Sequence, residues 1–400
     1  MRAVATVALA ALGVVAVSGV SIGAYAAWDV TSSIQTVSLV SDDEAVEAQA
    51  AGAAAPPAIS AIDGGVNLLL VGSDSRTGQG DAYGEDEGAS LNDVTMLMHI
   101  SEDHTNATVV SFPRDLVVDI PECPEGGGYT APINEALSQG GLACVALTVE
   151  SLSGLSIPFA AEIQFNGVIE MSNAVGGVPV CVVDPIDDEY TGVVLDTGTH
   201  MLQGADALGF LRTRHGVGDG SDLGRISSQQ VFLSSLVRTV KSGETLSDFG
   251  KLYGLARAAS GNMVLSQSLA SPDTLVSIAL ALRGIDLDRV TFVAYPGSTG
   301  GSGEYAGKVQ PLYDDAAVLF AAIAADQPVT TADPANTGVG AVVDPNAPVT
   351  DAAAATTPSS GAEGAAPDTS ANADAAVTAL PQSITGQTAA EYTCSKGNDY

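Results

Sequence analysis

Positive charge is scarce in this 400-residue sequence, which has 14 Lys and Arg residues, 47 Asp and Glu residues and a formal net charge of -33. Affinity for a nucleic-acid backbone requires many lysines and arginines spread over a surface, because each one neutralises a phosphate. A chain this acidic has no such surface. The composition therefore excludes a general nucleic-acid-binding protein.

Several motifs of nucleotide-binding proteins and hydrolases are also missing. There is no G-x-x-x-x-G-K-[ST] loop, no G-x-G-x-x-G fingerprint after the first apolar run and no G-x-S-x-G elbow. The four histidines are scattered: His99 falls within an apparent strand, which favours a structural role, and His215 is the one beside arginines. The sequence therefore does not indicate a P-loop, a dinucleotide site or a serine hydrolase.

The four cysteines form neither a C-x-x-C pair nor a zinc-ligand pattern. Cys123 and Cys144 bracket a glycine-rich loop, and we expect them to form a disulfide if the domain is exported. Cys181 and Cys394 then either pair with each other or stay free.

The N-terminus decides the compartment, because residues 3–28 carry no charged side chain. A run of about 25 such residues spans a bilayer as a helix. We predict a single-pass membrane anchor at 1–28 and an extracytoplasmic linker at 29–65. The alternative is a cleaved signal peptide, because Ala24-Tyr25-Ala26 has the small-x-small pattern of a cleavage site. Both interpretations place the main domain outside the cytoplasm.

Between residues 66 and 327, apolar runs alternate with helical periodicity. Asn67–Val71, Val94–Ile100 and Ala107–Phe112 are typical of buried strands. Strands interleaved with helices predict one α/β domain whose sheet is covered. The remaining residues, 328–400, are rich in Ala, Thr, Pro and Asp, which predicts a disordered tail. Its last segment, with Tyr392 and Cys394, would fold back onto the domain if Cys394 is bridged.

Three arginines, Arg212, Arg214 and Arg225, fall within fourteen residues of this acidic chain. Further charged residues flank the three apolar runs, namely Asp74, Arg76, Asp93 and Arg114. Functional sites in open α/β sheets gather at strand ends, so we expect these side chains to converge with the arginine cluster. Such a concentration of positive charge favours a strongly anionic ligand. The alternatives are solvated loop residues or an ion-pair network.

The segment Gly220-Ser221-Asp222 is typical of a loop that leads into the start of a helix. Its spacing places four residues on one stripe, Arg225, Gln229, Phe232 and Leu236. A ligand with a charged head and an apolar tail would fit this stripe, although the same spacing suits two core residues. A second stripe is more typical of core, Ile226, Leu233, Val237 and Val240.

Eight sequence blocks, in order, resemble the LytR-CpsA-Psr family of cell-wall assembly proteins over about residues 66–326. These blocks are NLLLVGSDSR, NDVTMLMHIS, VVSFPRDLVVDIP, PINEALSQGG, TVESLSGLSI, IQFNGVIEMSNAVGGVPVCV, MLQGADALGFLRTRHGVGDGSDLGRISSQQ and DRVTFVAYP. The resemblance implies a single αβα-sandwich domain with a mixed central β-sheet and an apolar pocket for a prenyl chain. It also implies a membrane-anchored enzyme outside the cytoplasm.

The function implied is a phosphotransferase that attaches a polyprenyl-diphosphate-linked glycopolymer to the muramic acid 6-hydroxyl of peptidoglycan. Polyprenyl phosphate would be released. A polyprenyl diphosphate hydrolase would use the same residues with water as nucleophile. A non-catalytic regulatory or attachment protein of the cell envelope would need neither metal nor acceptor.

The resemblance also assigns roles to the charged residues. Asp74 and Asp93 would hold Mg²⁺, with Mn²⁺ as the alternative. The diphosphate would be bound by Arg76, Arg114, Arg212, Arg214, Arg225 and Gln229. Catalytic roles would fall to Arg114, Arg212, Arg214 and Asp222, where Asp222 either orients an arginine or acts as general base.

Three positions depart from the family pattern. Pro132 stands where relatives have a lysine, and Ser228 begins a Ser-Gln-Gln segment where they have Arg-Gln-Gln. Both changes would remove a positive charge near the diphosphate. Thr199 stands where relatives have a cysteine that could bridge to the position of Cys181, which leaves the pairing of Cys181 open.

Overall fold

The computed structural model describes residues 34–39, 61–74, 90–242, 255, 261–333, 335–347 and 377–398. Within these residues, none of the helices combines the length and the hydropathy needed to cross a membrane. The predicted anchor at 1–28 lies outside them, as does Arg76.

Twenty strands occur in the described residues. They are β1 Gln35–Val37, β2 Val66–Ser73, β3 Asn92–Ile100, β4 Ala107–Phe112, β5 Val117–Cys123, β6 Gly126–Pro132, β7 Phe159–Ile163, β8 Val178–Val182, β9 Ile186–Asp188, β10 Val193–Leu195, β11 Gly198–Leu202, β12 Met263–Ser266, β13 Val290–Ala294, β14 Gly297–Ser298, β15 Gln310–Pro311, β16 Val329–Thr330, β17 Ala341–Val343, β18 Thr378–Ala379, β19 Gly386–Thr388 and β20 Thr393–Ser395.

The described α-helices are α1 Gly141–Ser153, α2 Phe165–Val175, α3 Ala205–Arg212, α4 Asp222–Lys241, α5 Pro272–Gly284 and α6 Tyr313–Ala324. Short 3₁₀ segments cover Ile133–Gln139, Leu287–Arg289 and Gly303–Tyr305.

The main sheet has eight strands in the order β1-β12-β7-β2-β3-β4-β13-β19. Three neighbouring pairs are parallel, β1 with β12, β2 with β7 and β4 with β13, and the other four are antiparallel. The three apolar runs become the central strands β2, β3 and β4, and every residue of β4 is buried. The predicted mixed α/β architecture is confirmed.

Helices cover both faces of the main sheet. One face packs against α1, α6 and the 3₁₀ segment, through residues such as Ile133, Val145 and Leu319. The other face packs against α5, with Ile278 and Ala281 buried, and against Leu233 of α4. This double cover explains why the central strands lack the apolar-polar alternation of a half-exposed sheet.

A second sheet, in the order β11-β8-β20-β17, packs against the far side of α4. The C-terminal strand β20 lies parallel to β8, and Cys394 is the direct partner of Cys181 in the register. Cys181–Cys394 and Cys123–Cys144 are both disulfides. The Cys123–Cys144 prediction is therefore confirmed, and of the two alternatives for Cys181 and Cys394 the structure has the pair. Thr199 lies opposite Cys181 on the other neighbouring strand.

The predicted disordered tail at 328–400 is wrong for the residues that the structure describes in it. Segments 329–333, 335–347 and 377–398 supply β16 to β20, and Leu380, Ile384 and Cys394 are buried in the folded domain. Their low aromatic content misled the prediction, because strand pairing and a disulfide hold them instead of large side chains. Residues 348–376 lie outside the described part.

The predicted linker at 29–65 is also wrong in part. β1 adds a parallel strand to the edge of the main sheet beside β12, and Leu39, 3% exposed, enters the core. The folded domain therefore extends beyond the predicted bounds of 66–327 at both ends.

Candidate functional site

A β-bulge presents Asp93 at the N-terminal end of the central strand β3. In the pairing of β2 with β3, Gly72 lies opposite Val94 and Ser73 lies opposite Asn92, so Asp93 has no partner in the register. Bulges of this kind redirect a side chain and recur beside active sites. Asp74 directly follows Ser73, the last residue of β2. Its Oδ1 accepts a hydrogen bond from the amide of Leu91 at 2.8 Å.

Asp93 is the first member of a connected charge network. Its carboxylate pairs with the guanidinium of Arg114, and its backbone carbonyl accepts a hydrogen bond from Nη2 of Arg225 at 2.7 Å. Asp93 and Arg114 therefore converge with Arg225 of the arginine stretch, as their positions at strand ends predict. The separation in sequence between Asp93 and Arg225 is 132 residues.

Asp222 joins the same network from the start of α4. Ser221 caps this helix by accepting a hydrogen bond from the amide of Gly224, which confirms the predicted helix start. Oδ2 of Asp222 accepts from the amide of Arg114 at 2.7 Å, and Oδ1 lies 2.6 Å from Nη2 of Arg225. The second contact lacks hydrogen-bond alignment and is a charge contact. Because both oxygens are engaged and the side chain is 2% exposed, the geometry favours an orienting role.

Arg212, the last residue of α3, and Gln229 of α4 lie beside this network. The guanidinium of Arg212 lies over the ring of Phe165, 4.4 Å from its centroid, which is a cation–π contact. Nε2 of Gln229 donates to the carbonyl of Leu211 at 2.8 Å. That hydrogen bond ties the end of the Arg212 helix to α4, so Gln229 positions the site as well as facing it.

Arg214 lies at the other side of the cluster. Its Nη2 is 3.6 Å from Oδ2 of Asp115, whose second oxygen pairs with Lys308 at 2.8 Å. Asp115 directly follows Arg114, so Arg214 contacts the chain segment that carries Arg114.

The loop that carries Arg214 is organised by Asp188, a residue that the sequence analysis did not single out. Oδ2 of this buried carboxylate accepts from the hydroxyl of Thr213 at 2.5 Å and from the amides of Arg214 and Gly216 at 3.1 and 3.3 Å. Burial opposes ionisation, but these hydrogen bonds and one from the amide of Tyr190 outweigh it and lower the pKa of Asp188. This role cannot be read from the sequence, because it depends on the fold placing β9 next to residues 213–216.

An apolar cavity of about 420 Å³ opens beside the cluster, between the main sheet and helices α2, α3 and α4. Asp93, Arg212, Arg225 and Gln229 line it together with apolar side chains that include Val168, Met171, Leu208, Leu211, Phe232 and Leu236. All four residues of the first predicted α4 stripe face this cavity. Leu233 and Val240 of the second stripe also line it, so that stripe is only partly core.

The arginine side chains retain unused hydrogen-bond capacity. Nε of Arg114, Arg214 and Arg225 is buried and has no hydrogen-bond partner among the described residues. A buried donor without an acceptor is costly, since its hydration is lost without replacement. An anion with several oxygens would satisfy such donors.

The two aspartates suit a hard divalent cation. Asp74 and Asp93 offer carboxylate oxygens from neighbouring strands, and Mg²⁺ is commonly held by one or two carboxylates together with water and substrate phosphates. Within the described chain, one group has three donor residues within metal-binding distance, Cys181, Asp344 and Cys394. Its two sulfurs form a disulfide and offer no thiolate.

The structure corrects the interpretation of Ser228. Its side chain is fully buried, bonds Oγ of Ser395 at 2.7 Å and donates to the carbonyl of Gly340 at 3.3 Å. Ser228 therefore faces the C-terminal strand and does not line the cavity. Pro132, in contrast, ends β6 near the site, because the amide of Asn134 donates to the carbonyl of Arg114 at 3.2 Å.

The C-terminal segment supports the loop between Arg214 and α4. The amide of Gly218 donates to the carbonyl of Lys396, and the amide of Asn398 donates to the carbonyl of Gly216, both at 3.0 Å. The Cys181–Cys394 disulfide lies two residues before Lys396. Strand β20 and the residues after it, which the sequence did not predict to be folded, therefore support the loop of the predicted site.

The chain is similar to known proteins in sequence and in fold. A family model described as the LytR_cpsA_psr family matches residues 31–316. The cell wall biosynthesis protein LcpA of Corynebacterium glutamicum is 32% identical over 278 residues, which cover 62% of this chain and 53% of LcpA. The chain thus spans about half the length of that relative.

Two further matches concern a protein named TagT. The polyisoprenyl-teichoic acid–peptidoglycan teichoic acid transferase TagT of Bacillus subtilis is 28% identical over 235 residues, covering 57% of this chain and 68% of TagT. A solved structure titled "TagT bound to LI-WTA" superposes with a TM-score of 0.51 at 21% identity, covering 72% of this chain and 98% of that one. At that identity the superposition shows a shared fold.

Proposed function

Because this chain belongs to the LytR-CpsA-Psr family, we propose that it is an extracytoplasmic phosphotransferase that attaches a glycopolymer to peptidoglycan. Its donor would be a glycan on a polyprenyl diphosphate, and its acceptor the muramic acid 6-hydroxyl. The names of LcpA and TagT support a role in building the cell wall. Two disulfides fit a domain exported to an oxidising compartment, and the anchor at 1–28 would hold it at the cell membrane.

One observation carries the proposal, which is that the apolar cavity and the arginine cluster adjoin. Arg212 and Arg225 line the same cavity as Phe232 and Leu236. A polyprenyl diphosphate has a long apolar chain and a diphosphate head, and it matches this division. Burial of each CH₂ group contributes about 0.8 kcal/mol, so several isoprene units would anchor the donor firmly.

The transfer step forms one bond and breaks one. The acceptor hydroxyl oxygen attacks the phosphorus that carries the glycan, and the bond from that phosphorus to the bridging oxygen breaks. Polyprenyl phosphate departs, a phosphodiester remains, and the proton of the hydroxyl ends on the departing phosphate or in solvent. Catalysis of such a step depends mainly on positioning and on stabilising charge.

The residues of the chain would divide this work. Arg225, held by Asp222 and by the carbonyl of Asp93, and Arg114, held by Asp93, would contact the diphosphate oxygens through their unused donors. Arg212 and Arg214 would contact it from α3 and the following loop. A divalent cation on Asp74 and Asp93, Mg²⁺ or Mn²⁺, would neutralise further diphosphate charge.

Incubating the purified protein with a polyprenyl-diphosphate glycan, Mg²⁺ and peptidoglycan tests the proposal. Glycan joined covalently to peptidoglycan supports transfer. Release of polyprenyl phosphate without joined glycan would instead indicate a diphosphate hydrolase. An absence of turnover under conditions in which the donor binds would indicate a non-catalytic protein of the cell envelope.

A further inference from the structure

An exposed aromatic pair lies beside the arginine cluster and has no role in the function proposed above. The ring centroids of Tyr190 and His215 are 4.4 Å apart, with 36° between the ring planes. Tyr190 is 71% exposed, and His215, the neighbour of Arg214, is exposed as well. Two rings in mutual contact are therefore both accessible to solvent.

One buried carboxylate holds both halves of this pair in place. Oδ1 of Asp188 accepts a hydrogen bond from the amide of Tyr190 at 3.0 Å, and Oδ2 accepts from the amides of Arg214 and Gly216, on either side of His215. The backbone that carries each ring is thus fixed relative to the backbone of Arg214. A rigid aromatic surface binds its ligand with little loss of conformational entropy.

We propose that Tyr190 and His215 form a platform on which a pyranose ring of the glycan substrate stacks. The inference rests on the proposed function, because a glycan on a diphosphate carries its first sugar next to the anion that the arginines would bind. A pyranose ring has a face of C–H bonds that packs against the face of an aromatic ring.

The charges around the platform favour a sugar over a second phosphate group. Tyr190 directly follows the exposed Glu189, and a second exposed carboxylate, Asp187, lies on the other side of the buried Asp188 in the sequence. Carboxylates repel phosphate but accept hydrogen bonds from sugar hydroxyls. The platform therefore suits a hydroxyl-rich ring.

Two sources supply such a ring, the donor glycan and the acceptor glycan strand, and equilibrium binding to the full chain in detergent separates them. The three ligands are geranylgeranyl diphosphate, which has no sugar, the same diphosphate bearing one hexosamine, and soluble glycan-strand fragments of peptidoglycan. The variants are Tyr190→Ala, Tyr190→Phe and, as a control, Tyr313→Ala, which removes an exposed tyrosine from α6. Tyr190→Ala retains the backbone amide that donates a hydrogen bond to Asp188, so the loop stays anchored.

We expect Tyr190→Ala to weaken binding of one sugar-bearing ligand by about fivefold to tenfold. Loss for the hexosamine diphosphate assigns the platform to the donor, and loss for the glycan fragments assigns it to the acceptor. Geranylgeranyl diphosphate should bind as it does to the wild type, and Tyr190→Phe and Tyr313→Ala should keep wild-type affinity for all three.

Three results would overturn the platform: unchanged affinity in Tyr190→Ala, equal losses with and without sugar, or an equal loss in Tyr313→Ala. Binding is measured without turnover. A wild-type protein that binds the sugar-bearing ligands but transfers nothing would contradict the proposed transfer and leave the platform in place.

Discussion

Asp222 and Arg225 form an ion pair within the first turns of α4, with 2.6 Å between Oδ1 and Nη2, and their side chains are only 2% and 4% exposed. The same aspartate accepts a hydrogen bond from the backbone amide of Arg114. One buried carboxylate therefore fixes two of the arginines that would bind the diphosphate. Removing one partner of a buried pair leaves the other charge uncompensated.

The first prediction concerns this pair. Asp222→Ala should lower the free energy of unfolding by about 3 kcal/mol, because it strands the guanidinium of Arg225. Asp222→Asn should cost less, since its amide oxygen still accepts from Arg114. Denaturant titration of both variants measures this, and equal midpoints for Asp222→Ala and the wild type would show that the pair does not hold the site.

The second prediction is a pH dependence of stability that Asp188 contributes. Its folded-state pKa is lowered from 3.8, because hydrogen bonds from Thr213, Arg214, Tyr190 and Gly216 outweigh burial. A lowered pKa means that the contribution is fully present above pH 3.8 and is lost as pH falls through the folded-state pKa. The stability gap between wild type and Asp188→Asn should therefore be constant at neutral pH and narrow below pH 3.8.

Asp103 provides a matched control for that variant. Its pKa is also lowered, since hydrogen bonds from Ser101 and Thr105 outweigh its slight burial, but it contacts no residue of the arginine loop in the described chain. Asp188→Asn should reduce turnover and Asp103→Asn should not. If both variants kept wild-type turnover, Asp188 would not position the arginines.

The third prediction separates the two disulfides. Replacing Cys181 and Cys394 together by serine should cost about 2–4 kcal/mol and should also lower turnover, because the adjacent C-terminal residues support Gly216 and Gly218. The matched control replaces Cys123 and Cys144 by serine. These two cysteines are 21 residues apart in the sequence, and their disulfide lies away from that loop. This control should lose stability with little change in turnover. Equal effects on turnover would contradict a role for the C-terminal segment in the site.

The fourth prediction tests the cavity with a larger side chain. Leu236→Trp should fill space that the prenyl chain would occupy, since Leu236 lines the cavity wall. Excluding even two CH₂ groups from burial costs about 1.6 kcal/mol, so KM for a long-chain donor should rise by more than about tenfold. Inorganic diphosphate should bind unchanged. Val237, which packs against the main sheet core, offers the control Val237→Ile, for which the donor KM should stay at the wild-type value.

The fifth prediction concerns the bulge residue Asp93. Asp93→Ala should reduce turnover by about 100-fold or more, because it removes a proposed metal ligand and the partner of Arg114. The variant should still fold, since the side chain lies at the end of the sheet and not in its core. Wild-type turnover in this variant, measured with Mg²⁺ present, would sink the metal assignment.

The central strands and the arginine stretch were predictable from sequence for the same reason, which is that each has a strong local pattern. Buried strands such as β4 are unbroken apolar runs, and Arg225 and Phe232 share a stripe because α4 is a regular helix. Asp93 directly precedes an apolar run, and functional sites in α/β sheets gather at strand ends, so its convergence with the arginine stretch was predictable although Arg225 is 132 residues away.

The remaining features depend on contacts between distant segments. β19 and β20 are three residues each and gain their stability from neighbours far along the chain, with Cys394 bonded to Cys181 across 213 residues. Asp188 and Ser228 show the same limit. Their roles follow from which loop or strand the fold brings opposite them, and no pattern around either residue records it.

A crystal structure of the protein with a polyprenyl diphosphate and Mg²⁺ is the most direct test of the proposed function. We expect the prenyl chain to lie between Phe232 and Leu236 in the cavity, with diphosphate oxygens within hydrogen-bond distance of Nε of Arg225 and of Arg114. Density for the lipid outside this cavity, or a diphosphate that contacts neither arginine, would contradict it.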